Sequence, residues 1–579
     1  MRCAHVLRHN KTSETPSRIS VLKLHTYVST ETPNEKTISW DFGYMSFSRR
    51  DSGSQKWRTR VKRVHTSEEI FEAVEQCVCK KKKTYVMLEN TYPTVTLINL
   101  FYNLTRLNWT CTLAVIEPKP LLVRWRKDNK GLLVFGESNI LPMQLCVCCE
   151  TEKHTQLGQS AYDKSEHLEC DVHIRSDCAE MTRQILGWID FIRDNDLGGF
   201  SPTIGSQSMR VFRHRYMHHD ILIDDNERAL KLARESYKGA RTEAFRHGKL
   251  DGKYTMLDTT CMYGSVMHDM WVPVRLRGHT RYADVSDLQG WSETSVCVAR
   301  CTIDTDVPMF AVRSSGGLVF SRGVLEVVIA GEEINRALRS DIIKKVHEVA
   351  VYERAIAFRS FVDAMWGRRL NALRRGNVAG AEMYKSLINS FNGKWGQCGR
   401  RWEKTDDADS DEIKTWLSLD FQTKQISEYR QFARIVQVCV REPESRDSMP
   451  AIATCITAAG RMRLWDLMLK AGLEHVAYVD TDALIVDEAG RESLSGLIDP
   501  LQLGGLRVVW ESDCVEIIGK KNYRHGTEWR HAGLPKLGTW VDWRHTVADQ
   551  NRSIFRPQAG MDVETATVEK VKKAWKSHA

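Results

Sequence analysis

His475-Val-Ala-Tyr-Val-Asp480-Thr-Asp482-Ala-Leu-Ile-Val486 is the stretch on which the reading of this chain turns. Two apolar, β-prone runs flank two carboxylates. The segment predicts a strand, a tight turn carrying acids, and a return strand. Such a hairpin tip, set in front of a packed sheet, can offer oxygen ligands to a hard divalent cation. Mg²⁺ takes only one or two carboxylates and completes its shell with water and substrate phosphates. Taken alone, Asp480-Thr481-Asp482 is equally an acidic turn, so the decision rests on two segments upstream.

Lys253-Tyr-Thr-Met-Leu-Asp258-Thr259-Thr-Cys-Met-Tyr263-Gly-Ser265 is again an apolar strand ending in an aspartate, with an aromatic five positions later. Lys385-Ser-Leu-Ile-Asn389-Ser-Phe-Asn392-Gly-Lys394 lies in a helical stretch. In this order the three segments resemble the polymerase motifs of family B DNA polymerases, D-x-x-S-L-Y-P-S, K-x-x-x-N-S-x-Y-G and Y-x-D-T-D. Tyr478, Asp480, Thr481 and Asp482 match the third in full. The intervals between motifs leave room for inserted subdomains. Tyr237-Lys-Gly239-Ala stands where the family has Y-x-G-G or Y-x-G-A, and Lys521-Asn-Tyr523 stands where it has K-x-Y. The compact length and the long gap between the first two motifs resemble the protein-primed branch of small bacteriophages, adenoviruses and linear plasmids.

The resemblance implies an α+β multidomain fold. A right-hand polymerase of palm, fingers and thumb would follow an N-terminal ribonuclease H-like, exonuclease-type domain. The expected boundaries are 1–190 for that domain and 191–270 for the first part of the palm. A priming-protein insertion would occupy 271–345, the fingers 346–396, a second insertion 397–450, the rest of the palm 451–530, and the thumb 531–579. Strands are expected at Thr294–Ala299, Val307–Val312 and Val324–Ile329. From Asp341 the apolar residues Val346, Val349, Ala350, Ala357, Phe361, Met365 and Leu373 recur at helical spacing. Gly376-Asn377 breaks the pattern before a second helix, so the fingers read as an αα-hairpin. At 1.5 Å rise per residue, Arg369 and Lys385 each sit roughly 10–14 Å from the turn and can face one triphosphate. A final helix is expected at Val563–Lys576, within a small basic thumb.

The same resemblance assigns roles. Asp258 and Asp482 would bridge two Mg²⁺ ions, for which Mn²⁺ can substitute; Asp480 would support them, and the Thr259 carbonyl would complete a coordination shell. Lys385 and Arg369 would hold the incoming dNTP with Asn389 and Asn392, and Tyr263 would lie beneath its sugar and exclude a 2′-hydroxyl. Tyr237, Gly239, Thr481, Lys521 and Tyr523 would contact the primer and DNA. Asn392 replaces the family's Tyr of the nascent base-pair pocket, Cys261 replaces a Ser, and Gly264 replaces a Pro. In the N-terminal region the frame of a proofreading nuclease is present without its acids. Ser29 and Glu31 stand at the first motif, Thr94 at the second, and His167 and Asp171 at the third. Only Glu31 and Asp171 remain of four carboxylates, so the nuclease is expected to be inactive.

Composition fits this reading. The 579 residues carry a formal net charge of +9, a mild basic excess compatible with a nucleic-acid partner. The basic runs Lys80–Lys83 and Arg213–His219 read as solvated faces. The acidic tract Asp406–Glu412 reads as a solvated loop. Sixteen cysteines are scattered as free thiols; Cys146, Cys148, Cys149 and His154 lack a second metal-binding pair. No export signal opens the chain, and no apolar run reaches the ~18 residues that span a bilayer. The expected partners are a DNA template and primer, dNTPs and a terminal priming protein, for a monomer in the host cytoplasm. Two alternatives stand beside this: a polymerase with unusual priming or template-independent synthesis, and a non-catalytic DNA-binding scaffold derived from a polymerase.

Overall fold

The computed structural model describes residues 3–31, 36–78, 83–88, 104, 109–115, 121–140, 164–314, 317–408, 414–419, 426–432, 435–442 and 444–531. It also describes short strands between 540 and 573. The element that organises it is a five-stranded antiparallel sheet. Its order across is Thr242–Ala244, Val476–Asp480, Ala483–Asp487, Tyr254–Thr259 and Leu506–Ser512. Alternation divides its side chains between two faces. Leu257, Val479, Leu484 and Val486 point to one face and join a core with Met462, Leu464 and Trp465 of the helix Pro450–Ala471. That helix begins with Pro450 at its first turn, where a missing N–H costs nothing.

Tyr254, Tyr478 and Ile485 point to the opposite face and are covered by a second antiparallel sheet. It runs Gly248–Leu250, Val515–Gly519, Asn522–His525, Glu528–His531. The cover extends over only part of the face. The uncovered end is where the predicted acids stand.

A four-stranded antiparallel sheet lies between the first acid strand and the fingers. Its order is Val272–Thr280, Ile343–Ala355, Val296–Thr305 and Gly323–Ala330. The strands expected at 294–299 and 324–329 are here; the third is shorter and later, at Ala311–Ser314. The helix expected from Asp341 is not: residues Ile343–Ala355 form a 13-residue strand. Val346, Val349 and Val351 are β-branched, and pairing on both sides outweighs a periodicity that fits either element over so short a run. The helical hairpin follows it, as Arg359–Arg374 and Val378–Trp395, with Gly376 at φ 71° in the turn and Asn377 capping the Gly380 N–H. Phe358, Phe361, Phe391 and Trp395 cluster with Phe212 at its base.

Residues Gly399–Asp407, Lys414–Leu419, Ile426–Phe432 and Ile435–Glu442 form another antiparallel sheet. Asp406 and Asp407 of the acidic tract end its first strand; 409–413 lie outside the described residues. In the N-terminal region a mixed sheet holds Arg18–Glu31 between Lys36–Arg50 and Lys83–Leu88, the latter parallel to it and to Lys130–Gly136. The helix Lys164–Asp194 packs on this sheet. The final helix expected at Val563–Lys576 is absent: Val563–Thr565 and Thr567–Lys573 are strands. Val563, Thr565, Thr567 and Val568 favour the extended backbone. Among the described residues no helix is long and apolar enough to cross a membrane.

Candidate active site

The register of the central sheet places a row of side chains on its uncovered end. Thr242 is opposite Asp480, Asp480 opposite Ala483, Ala483 opposite Asp258, and Asp258 opposite Arg507. Directly opposed residues share a face, so the row is one surface. Asp258 and Asp480 are two strands apart, roughly 9–10 Å, with the small side chain of Ala483 between them. Asp482 stands at the tip of the hairpin that joins the strands of Asp480 and Ala483.

The backbone fixes this tip. Thr481 takes a left-handed conformation with φ 65°, unusual for a β-branched residue. Its N–H donates to the Arg241 carbonyl at 2.8 Å. The Asp482 carbonyl accepts from the Thr259 N–H at 2.7 Å, so the turn is tied to the residue after Asp258.

Each outer acid has a cation. Arg507 Nε donates to Asp258 Oδ2 at 2.7 Å, and Lys521 Nζ lies 3.3 Å from Asp480 Oδ1. Asp480 also accepts from the hydroxyls of Thr242 at 3.0 Å and Thr481 at 3.1 Å. Asp482 has no such partner: burial, then the neighbouring charge of Asp258, pushes its carboxyl up to about 7, with Asp480 adding to the rise and the Lys385 ammonium opposing it. Lys385 is thus close enough to act on the acid tip from the helix Val378–Trp395.

Tyr263 begins the short helix Met262–Asp269 that follows the first acid. Burial and the nearby Asp482 raise its phenol to about 12, so it is a neutral ring beside the acids. It lies against Gly460, where an added Cβ would come within 3.1 Å of the ring. Cys261, in the left-handed region at φ 57°, caps the helix and donates to Asn389 Oδ1 at 3.1 Å. The cysteine that departs from the family pattern therefore links the first motif to the second. Asn392 is buried, and its Oδ1 has no hydrogen-bond partner.

Three expected residues sit differently. Arg369 is buried and donates to the Ala381 carbonyl at 3.1 Å and to Glu382 at 2.9 Å. It fastens the two fingers helices together and is not a free cation beside Lys385. Tyr523, expected at the primer end, is buried under the covering sheet, its ring packed near Tyr478 and its hydroxyl 3.6 Å from the Met256 sulfur. Tyr523 lies two residues beyond the turn, on the inward face of its strand, so Lys521 alone of the K-x-Y pair reaches the acids. The Tyr237 ring packs against Gly396, where a Cβ would lie 2.7 Å away. Next to it, the carbonyls of Lys238 and Gly239 both accept from Arg461 at 2.9 Å, and Arg461 is paired with the fully buried Glu333. The Y-x-G-A loop is thereby anchored to the long palm helix.

Arg507, Thr242 and Ala483 carry no motif, and only the strand register brings them to the row. In the N-terminal domain Ser29 and Glu31 lie on the strand Arg18–Glu31, their side chains outside the described residues, as are Thr94 and the Cys146–His154 cluster. Asp171 accepts from the Tyr44 hydroxyl through both oxygens at 2.9 Å and pairs with Arg63 at 3.1 Å. The run Arg213–His219 is tied down in part: Arg213 bonds Asp447, while His214 and Arg215 bond Asp196.

Among the described residues no three His, Cys, Asp or Glu side chains close into a metal cage. The donor set fits a hard cation nonetheless. It is all carboxylate, and Asp482, half-buried and pushed up by desolvation and then by Asp258, is an acid short of positive charge. One or two carboxylates are what Mg²⁺ takes when phosphates supply the rest.

Residues 199–432 match the family model described as DNA polymerase type B, organellar and viral. The match holds Asp258, Tyr263 and Lys385 and ends before the acid hairpin. The DNA-directed DNA polymerase of Enterobacteria phage PRD1 is 22% identical over 413 residues, covering 68% of this chain and 66% of that protein, just under two thirds of its length. The solved structure of Phi29 DNA polymerase complexed with primer-template DNA and incoming nucleotide aligns with 97% of this chain and 100% of its own. The TM-score is 0.63 at 12% identity. The Phi29 binary complex with primer-template DNA gives 0.64 over the same shares. At this identity the structural likeness shows a shared fold.

The state of Asp482 gives a test by stability. In the unfolded chain a carboxyl of this type ionises near 4. Between there and about 7 the folded chain holds a proton that the unfolded chain has released, so stability from this group falls as pH rises and is gone above about 7. Asp482→Asn is therefore expected to raise the thermal midpoint of the metal-free protein at pH 8, with the gap closing by pH 5. Equal midpoints at pH 8 would contradict an uncompensated charge at Asp482.

Proposed function

We infer that the chain belongs to the type B DNA polymerases of the organellar and viral kind and is a DNA-directed DNA polymerase. Its site would add deoxynucleotides to a primer 3′-hydroxyl opposite a template. The observation that carries the reading is the single row Asp480–Ala483–Asp258, with Asp482 at the hairpin tip and Lys385 facing it.

Asp258 and Asp482 are the residues that would hold divalent cations, with Asp480 supporting. When bound, such ions activate the attacking hydroxyl and neutralise the charge that develops on the leaving pyrophosphate. The chain's own groups do the rest. Lys385 places a positive charge where the triphosphate must lie. Tyr263, held against Gly460 on one side, sets the floor beneath the sugar; an aromatic there leaves no room for a 2′-hydroxyl. Asn389, through Cys261, keeps the fingers helix in register with the first acid strand. Lys521 lies at the acids, where the primer end would arrive, and Arg507 pairs with Asp258 and would have to release it for a cation to be held there.

Protein priming is supported by the four-stranded sheet inserted between Val272 and Ala355, where the notable excess over a minimal palm lies. The N-terminal domain keeps a nuclease-like sheet and helix, but Ser29 and Thr94 stand where the family pattern has acids. A role without proofreading follows.

Three outcomes are expected. Asp258→Asn and Asp482→Asn should each lower primer extension roughly 10³-fold, the scale of lost charge stabilisation at a reacting centre; activity within tenfold of wild type would remove that residue from the metal-holding role. Tyr263→Val should raise the ribonucleotide-to-deoxynucleotide ratio of kcat/KM while deoxynucleotide incorporation survives, and an unchanged ratio would remove the ring from the sugar contact. Wild-type protein should release no mononucleotides from a mismatched 3′ end. If it does and a Glu31→Ala, Asp171→Ala double mutant does not, the nuclease is active.

A further inference from the structure

Residues 49–63 hold seven Lys and Arg and a single acid, Asp51, and so carry six of the chain's nine net positive charges. Its second half is the strand Trp57–Val64. It pairs with 43–50 of the neighbouring strand, and no described strand pairs with its other side.

Alternation along this strand separates two kinds of cation. On the face toward the helix Lys164–Asp194 the charges are used. Arg63 pairs with Asp171 at 3.1 Å, and Trp57 Nε1 donates to Asp190, which also takes Arg50. On the other face stand Arg58, Arg60 and Lys62, opposite Arg49, Phe47 and Met45. Arg58 is 83% exposed, with one 3.5 Å contact to Asp51. Arg60 lies over the Phe47 ring at 5.1 Å. Among the described residues neither Arg60 nor Lys62 has an ion pair, and the glutamates of the adjacent helix Ser67–Cys77 reach none of the three. A charge on an open edge guards against strand pairing, but that does not need three cations on one face.

We propose that Arg58, Arg60 and Lys62 form a binding row for single-stranded DNA on the outer edge of the N-terminal domain, separate from the polymerase site. Alternate residues of a strand are about 7 Å apart, which is of the order of the phosphate spacing along an extended single strand. The row is one backbone wide, which suits a single strand and not the broader surface of a duplex. A guanidinium lying over an aromatic ring also offers a flat face on which a base can stack. The row requires no polymerase chemistry, so it can stand or fall independently of the proposed activity.

The test uses the full-length protein in EDTA with a fluorescein-labelled dT oligomer, read by anisotropy across a salt series. The variant is Arg58→Gln, Arg60→Gln, Lys62→Gln; a charge-matched control is Lys344→Gln, Lys345→Gln, Lys470→Gln. The row predicts an affinity loss of about tenfold or more and a salt slope shallower by roughly 2, at ~0.7 per lost phosphate contact. The control should keep wild-type affinity and slope, and an Arg58→Lys, Arg60→Lys variant should keep most of the binding. Extension of a short primer-template by the triple variant should stay within about twofold of wild type, which shows that it is folded. Equal affinity and slope in the triple variant and the control would overturn the row. An equal loss on duplex DNA would overturn its assignment to single strands.

Discussion

Like charges held together against their repulsion are the constraint on which this structure depends. At an effective dielectric near 20, two carboxylates about 5 Å apart repel by about 3 kcal/mol. The chain answers with packing and with partners. One layer beneath the acids is the core of Leu257, Val479 and Leu484 against the helix Pro450–Ala471. A second sheet clamps the other end of the acid face through Tyr478, Ile485 and Tyr523. Arg507 and Lys521 compensate the outer acids, and only Asp482, at the tip, is left short of positive charge.

Much of this was legible in the sequence because the acids end apolar strands. The hairpin at 475–486 and the strand at 253–258 each announce their conformation through β-prone residues, and the helical hairpin announces its turn through Gly376-Asn377. What was not legible depends on register. Nothing in Leu506-Arg507-Val508 reveals that Arg507 falls opposite Asp258, and nothing near Thr242 places it beside Asp480. The direction of Arg369 was hidden for a related reason: spacing along a helix gives its height but not its direction, and Glu382 on the neighbouring helix pairs with it. The strand Ile343–Ala355 was misread because its valines satisfy both periods, and its two neighbours in the sheet settle the matter.

In the N-terminal domain the scaffold and the chemistry rest on different residues. Its sheet needs the alternating apolar residues of Arg18–Glu31 and Lys83–Leu88, and these remain. Asp171 is joined to Tyr44 and Arg63 across the helix–sheet contact.

The central claim is that Asp258 and Asp482 together hold the reacting centre's cations and give up Arg507 to do so. Anomalous scattering from Mn²⁺ tests it most directly, in crystals of the protein with a dideoxy-terminated primer-template and an incoming nucleotide. The account predicts metal peaks in contact with both Asp258 and Asp482, with Arg507 turned away from Asp258. Metal bound elsewhere, or an intact Arg507–Asp258 pair with nucleotide in place, would contradict it.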